Sequence, residues 1–267
     1  GSRLRFLEIG PGPVPLLALH AAACGSAGRA AQAWVVEACP DVREVARRIV
    51  EDAGVAAASA AAPGVSVLPA GLSSALELAS DEERFDAVAC IPDDAPLGLD
   101  YLYTMSDAAE RLLKAGGRLV PGVLRVRAAP VEWRPLGSAD EAADADAPHP
   151  AWPAVYERCY AGHSEQAPDL RAARPLCRRP AAVLDLDLGA ASPRPGDAPS
   201  GEVAVEASSA GLLAGVAFWH EPVLPSEEDQ ADMADIPAHA AVHFEIRPRR
   251  VEAGEAISLL ARFADDG

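Results

Sequence analysis

"RFLEIGPGPVPLLAL", residues 5–19, begins as an apolar strand, turns at two glycines and continues as an apolar helix. Strand, glycine turn and helix in that order open a doubly wound α/β domain, in which ligands gather beyond the carboxyl ends of the strands. Gly10 and Gly12 form a G-x-G turn that allows a ligand close to the backbone. Pro11 and Pro13 oppose that use, because each removes an N–H donor from the turn. Pro15 is compatible with the first turn of the helix that follows.

The alternation continues downstream. "QAWVVEA" (32–38) reads as a second buried strand, and "PDVREVARRIVEDAG" (40–54) as the clearest helix. Its apolar residues Val42, Val45, Ala46, Ile49 and Val50 recur at helical spacing, Asp41 is placed to cap it, and Gly54 ends it. "VSVLPAG" (65–71) reads as a strand, "SSALELA" (73–79) as a short helix and "FDAVACIP" (85–92) as a strand apolar enough to be covered on both faces. "LDYLYTMSDAAERLLKAGG" (99–117) is predicted to be one long helix stopped by glycine, and 117–131 to carry one strand. Strands separated by helices imply a parallel sheet. After an acidic, alanine-rich loop at 137–150 the pattern changes to strand-like runs at 182–189, 201–207, 212–224, 240–246 and 255–263. The expected fold is therefore α/β: a Rossmann-like domain over 1–130, followed by a β-barrel or β-sandwich domain over 131–267.

Composition narrows the function classes. Half of the 267 residues are apolar and the formal net charge is −17, which disfavours nucleic acid and anionic membrane as main partners. No apolar run nears the roughly 20 residues that span a bilayer, and no signal-peptide pattern opens the chain. Gly1-Ser2 reads as a cloning remnant, so the chain is expected to be one module of a longer protein. Cys24, Cys39, Cys90, Cys159 and Cys177 are odd in number, lack CxxC or Cys/His spacing, and read as reduced thiols of an intracellular (cytoplasmic or nuclear) protein. No metal site is expected.

Glu37 closes "AWVVE" at the end of the second strand, where a carboxylate can accept both ribose hydroxyls of an adenosine. With Glu8, Gly10 and Gly12 it forms the candidate cofactor set. A glycine turn beside a merely solvated glutamate is the competing reading. His220, His243, Trp34, Trp133, Trp152, Tyr101, Tyr103 and Met105 are more readily explained by packing than by chemistry.

"FLEIGPGPVPLLAL", "AWVVEACPDVREVARRIVEDAG", "FDAVACIP" and "AERLLKAGGRLVPGVLRVRAAPVE" occur in the order seen in protein arginine methyltransferases, which the chain resembles over nearly its whole length. "GVAFWHEPVL" is similar to the signature strand of that family's C-terminal β-barrel, and residues 240–267 are similar to its closing strands. "ACIPDDAPLGLDYLYTMSDAAERL" and "APHPAWP" most resemble the second module of the two-module, monomethylating (type III) enzymes. The family's N-terminal helix, which folds over the cofactor, has no counterpart.

The resemblance implies S-adenosylmethionine as cofactor, an arginine-containing protein substrate or an active methyltransferase module as partner, and a dimer or pseudo-dimer. Gly10 and Gly12 match the first two glycines of the family's cofactor loop, while the third falls near Val14. Glu37 matches its ribose-binding acid. Two catalytic glutamates of the family hold the substrate guanidinium, because paired carboxylates match its planar fork. The first aligns with Ile91 and the second near Asp100, with Asp93 and Asp94 as nearby substitutes. An aspartate is one methylene shorter, and a misplacement of about 1 Å can cost about 100-fold in rate. The family's Thr-His-Trp loop falls in "DIPAHAAVHF", where His239 is an offset candidate for substrate binding. Two functions stay open: an enzyme methylating arginine, and a catalytically degenerate module supporting an active one. The lost glutamate and the proline-filled turn favour the second.

Overall fold

The computed structural model describes residues 3–24, 31–57, 64–69, 76, 83–91, 99–133, 164–166, 173–189, 199–223 and 240–262. The chain divides into two compact units. The first comprises Gly1–Pro92, Leu99–Val123 and Asp187–Arg194; the second comprises Asp93–Gly98, Leu124–Leu186 and Pro195–Gly267.

The first unit is built on a five-stranded sheet of β1 (Leu4–Ile9), β2 (Ala31–Val36), β3 (Gly64–Val67), β4 (Phe85–Ala89) and β5 (Leu113–Val120). The order is β3-β2-β1-β4-β5 and every pairing is parallel. The chain runs outward from β1 to β3, then returns to the other side of β1. The switch point therefore lies between β1 and β4, beyond Ile9 and Ala89. All of β2 is buried. Helix α1 (Leu16–Cys24) places Ala18, and α2 (Pro40–Asp52) places Val50, in a core with Phe6, Ala33, Val35, Val65 and Ala89.

Away from the switch point, Arg5 ties the strands together. Its guanidinium lies 4.5 Å from the Trp34 ring centroid and 5.5 Å from that of Phe85. Arg5 N–H donates to Asp86 at 2.7 Å, and Asp86 also accepts from Lys114 Nζ at 2.9 Å. Lys114 is the chain's sole lysine. Burial disfavours the Asp86 charge, but the donors from Lys114 and Arg5 outweigh it and hold the pKa below the ordinary aspartate value.

Several local expectations are corrected. Cys39 is the N-cap of α2 and makes no side-chain cap bond; Pro40 takes the first helical position, and Asp41 lies within the first turn. Val45, expected on the buried face, is exposed. The predicted long helix at 99–117 is α3 (Leu99–Asp107) continued by one π-helical turn, Ala108–Leu112. β5 begins at once at Leu113, so Gly116 and Gly117 lie inside a strand rather than ending a helix. The strand expected over 117–131 is two: β5, and β6 (Val123–Trp133), separated at the cis Val120–Pro121 bond. The short helix predicted at 73–79 lies outside the described residues except Leu76, as does the acidic loop at 137–150.

The second unit is antiparallel. One sheet runs β7 (Ser164–Gln166), β12 (Ala241–Val251), β11 (Gly211–Pro222), β6, β8 (Ala173–Pro175), with β9 (Ala181–Asp187) also on β6. A second sheet pairs β10 (Ser200–Glu206) with β13 (Ala256–Arg262). Exposure alternates residue by residue along β10, as the "EVAVE" pattern predicts for a strand with one wet face. Ala128, Leu176, Val183, Leu213, Ile257 and Leu259 join the strands in one core. Burying the leucine, isoleucine and valine side chains among them contributes about 1.5–3 kcal/mol each. No helix follows residue 170 among the described residues.

Candidate functional site

The turn after β1 is shaped by its two glycines. Gly10 has φ +61° and Gly12 φ +70°, in the left-handed region that other residues enter at a cost of roughly 1–2 kcal/mol. A Cβ at either position would meet nothing within 4 Å. The glycines thus serve the backbone path and leave open space beside it.

Glu37 lies opposite this turn, one residue past Val36, and is buried. Its Oε2 accepts the Gly12 N–H at 3.1 Å and its Oε1 accepts the Cys39 N–H at 2.9 Å. The carboxylate therefore braces the glycine turn against the start of α2. Each carboxylate oxygen has a second lone pair, so two further donors, such as vicinal hydroxyls, can be accepted.

Glu8, the other buried acid of the set, faces a different task. Its two oxygens accept the Leu17 N–H at 3.3 Å and the Ala18 N–H at 2.8 Å. These are first-turn amides of α1, where negative charge is favoured by the helix dipole. Burial raises the Glu8 pKa, and the two amides counter it. Glu8 holds the helix onto the strand.

The donors of residues 10–19 can be counted. Gly10 N–H donates to Val36 O, Leu16 N–H to Val14 O and Leu19 N–H to Pro15 O. Gly12 is taken by Glu37, and Leu17 and Ala18 by Glu8. Pro11, Pro13 and Pro15 have none. Only the Val14 N–H has no acceptor among the described residues. Val14 and Leu16 expose apolar side chains here.

Across the switch point, β4 ends at Ala89, which pairs with Glu8. Two residues on stands Ile91, 42% exposed. Cys90 is buried, its N–H bound to Val120 O. The Tyr101 hydroxyl donates to Cys90 O at 2.7 Å, and burial pushes its pKa up. Tyr101 thus fastens α3 to the end of β4. Packing alone does not account for Tyr101: a half-buried tyrosine hydroxyl must find a partner, and the nearest strand end supplies one. Tyr103, also assigned to packing, is exposed, while Met105 is fully buried.

Asp100 is the second residue of α3. Asp93, Asp94 and His239 lie outside the described residues. His220 is buried beside Trp219 at the end of β11, and His243 is exposed on β12. Among the described residues no group of three or more His, Cys, Asp or Glu is placed to hold a metal ion, and no helix is long and apolar enough to cross a membrane.

The fold is a Rossmann-like class I methyltransferase domain followed by a domain of the β-barrel type. No protein-family model and no curated protein matches the chain. Among solved structures the chain is similar to a chain of the Trypanosoma brucei PRMT1 enzyme–prozyme heterotetrameric complex with AdoHcy. The match has a TM-score of 0.68 at 15% identity and covers 98% of this chain and 78% of that one. At that identity the likeness establishes the fold.

The cofactor that accompanies this fold, S-adenosylmethionine, fits the site in one half. The open space at Gly10 and Gly12 and the free lone pairs of Glu37 suit its ribose. Its amino-acid end would meet a turn with a single uncommitted donor.

Proposed function

We propose that this chain is a protein arginine methyltransferase-like module whose own catalytic set is degenerate and which supports an active partner module. The observation that carries the reading is Ile91. It stands exposed beyond β4, beside the β1 turn, where the resemblance places the first guanidinium-binding glutamate. An alkyl side chain offers a guanidinium no acceptor, and removing that cation from water without a carboxylate is strongly unfavourable. The solved neighbour's assembly, described as enzyme with prozyme, supports the idea of a partner. The second reading, a module that methylates arginine by itself, draws on the ordered position of Glu37.

Incubation of the isolated chain with methyl-labelled S-adenosylmethionine and an arginine-rich peptide separates the two. No incorporation above the blank is expected, and addition of an active arginine methyltransferase module should give a rate above that of the active module alone. Turnover by the isolated chain would overturn the degenerate reading.

A further inference from the structure

The donor count around the β1 turn specifies which part of a ligand this site can recognise. In a doubly wound sheet a nucleoside ligand places its ribose at the acid ending β2 and extends its 5′ substituent across the β1 turn toward β4. The ribose end is equipped. Glu37 is buried, fixed by two amides, and keeps two lone pairs for vicinal hydroxyls. Among the described residues the 5′ end is poorly equipped for a carboxylate. A carboxylate there needs N–H donors or a cation. Between residues 10 and 19 three N–H groups are absent as prolines, six are committed inside the chain, and Val14's remains. Acceptors at this end are partly engaged: each Glu8 oxygen already takes an α1 amide and Cys90 O takes the Tyr101 hydroxyl. Among the described residues of the turn and the end of β4, the exposed side chains are Pro13, Val14, Leu16 and Ile91, all apolar.

We infer that the site, resting on the degenerate-module reading above, is a nucleoside site. It takes an adenine nucleoside with both ribose hydroxyls free and a short, uncharged 5′ substituent, and it does not recognise an amino-acid tail. The proline-filled turn is then a selectivity element: it removes the groups that would distinguish an amino-acid-bearing cofactor from its truncated nucleoside.

Calorimetric titration with 5′-methylthioadenosine and S-adenosylhomocysteine tests this directly, because the two differ in the tail. The expected dissociation constants lie within about threefold of each other, or favour the thioether nucleoside. S-adenosylhomocysteine binding tenfold tighter or more would overturn the inference, as would the absence of heat from both up to millimolar ligand. Pro13→Ala restores an N–H at an exposed position and so leaves the fold intact. It should tighten S-adenosylhomocysteine about tenfold or more, the scale of one hydrogen bond to a charged group, with 5′-methylthioadenosine unchanged. Equal changes for both ligands would count against the donor argument. Glu37→Gln should weaken both ligands together. Failure of the titrations leaves the degenerate-module reading standing, whereas methyl transfer from S-adenosylmethionine to a peptide would overturn both.

Discussion

Glu8 and Asp86 occupy neighbouring parallel strands, yet their carboxyl groups respond to pH in opposite senses. Burial raises the Glu8 pKa, so the folded chain binds that proton more tightly than the unfolded chain. The linked stabilisation is complete below the unfolded glutamate value and is lost as pH rises through the raised one. Asp86 is held below its ordinary value by Lys114 and Arg5 against the opposing effect of burial. Its stabilisation is present above the unfolded aspartate value and is lost as pH falls through the lowered one. Urea unfolding from pH 3 to 8 should show the wild-type margin over Glu8→Gln shrinking toward high pH, and the margin over Asp86→Asn shrinking toward low pH. Residues of this kind are only half legible in sequence. Strand, glycine and spacing locate Glu8, Gly10, Gly12 and Glu37 at one sheet edge. Which amide each carboxylate accepts depends on side-chain rotation and on where α1 and α2 start, and residue type does not encode either.

At the scale of elements, apolar periodicity found α2 but not its depth. Ala46 and Val50 are buried, whereas Val45 at the edge of the same stripe is exposed beside Glu44 and Arg48. The solvent face carries a charge network: Arg47 donates to Glu44 at 2.7 Å and pairs with Glu51, and Arg48 donates to Glu44 at 3.0 Å. These donors lower the Glu44 pKa to about 2. Exposed pairs of this sort contribute little to stability, so the helix depends on its inner face. Val50→Ala should therefore cost about 2 kcal/mol, and Val45→Ala less than about 0.5 kcal/mol, by chemical denaturation. The segment after α3 was less legible. Asp107 and Arg111, paired at i and i+4, and the leucines before Gly116 all suit a helix, yet β5 starts at Leu113. The tertiary demand for a strand beside β4 overrides the local preference, as sheet pairing commonly does. Likewise nothing in the run 117–131 marks a division, since Pro121-Gly122 suits a bulge in one strand as well as a junction between two.

The whole molecule joins a parallel unit to an antiparallel one, each with its own core. That succession was readable because the apolar pattern changes from buried runs separated by helices to alternating strands. Over both units the chain carries −17 formal charges, with 40 acids against 23 bases. Self-repulsion of this size opposes compaction, and salt screens it with a Debye length near 10 Å at 0.1 M. The thermal midpoint should rise between 20 and 300 mM sodium chloride, as followed by circular dichroism; a fall would mean that the surface pairs outweigh the net charge. The internally satisfied β1 turn has a consequence at this same scale. A ligand stabilises a fold by an amount set by its concentration relative to its dissociation constant. A turn closed by its own carboxylates needs no ligand to satisfy its amides, so the first unit can fold before any ligand reaches it, and a ligand then adds stability by mass action alone.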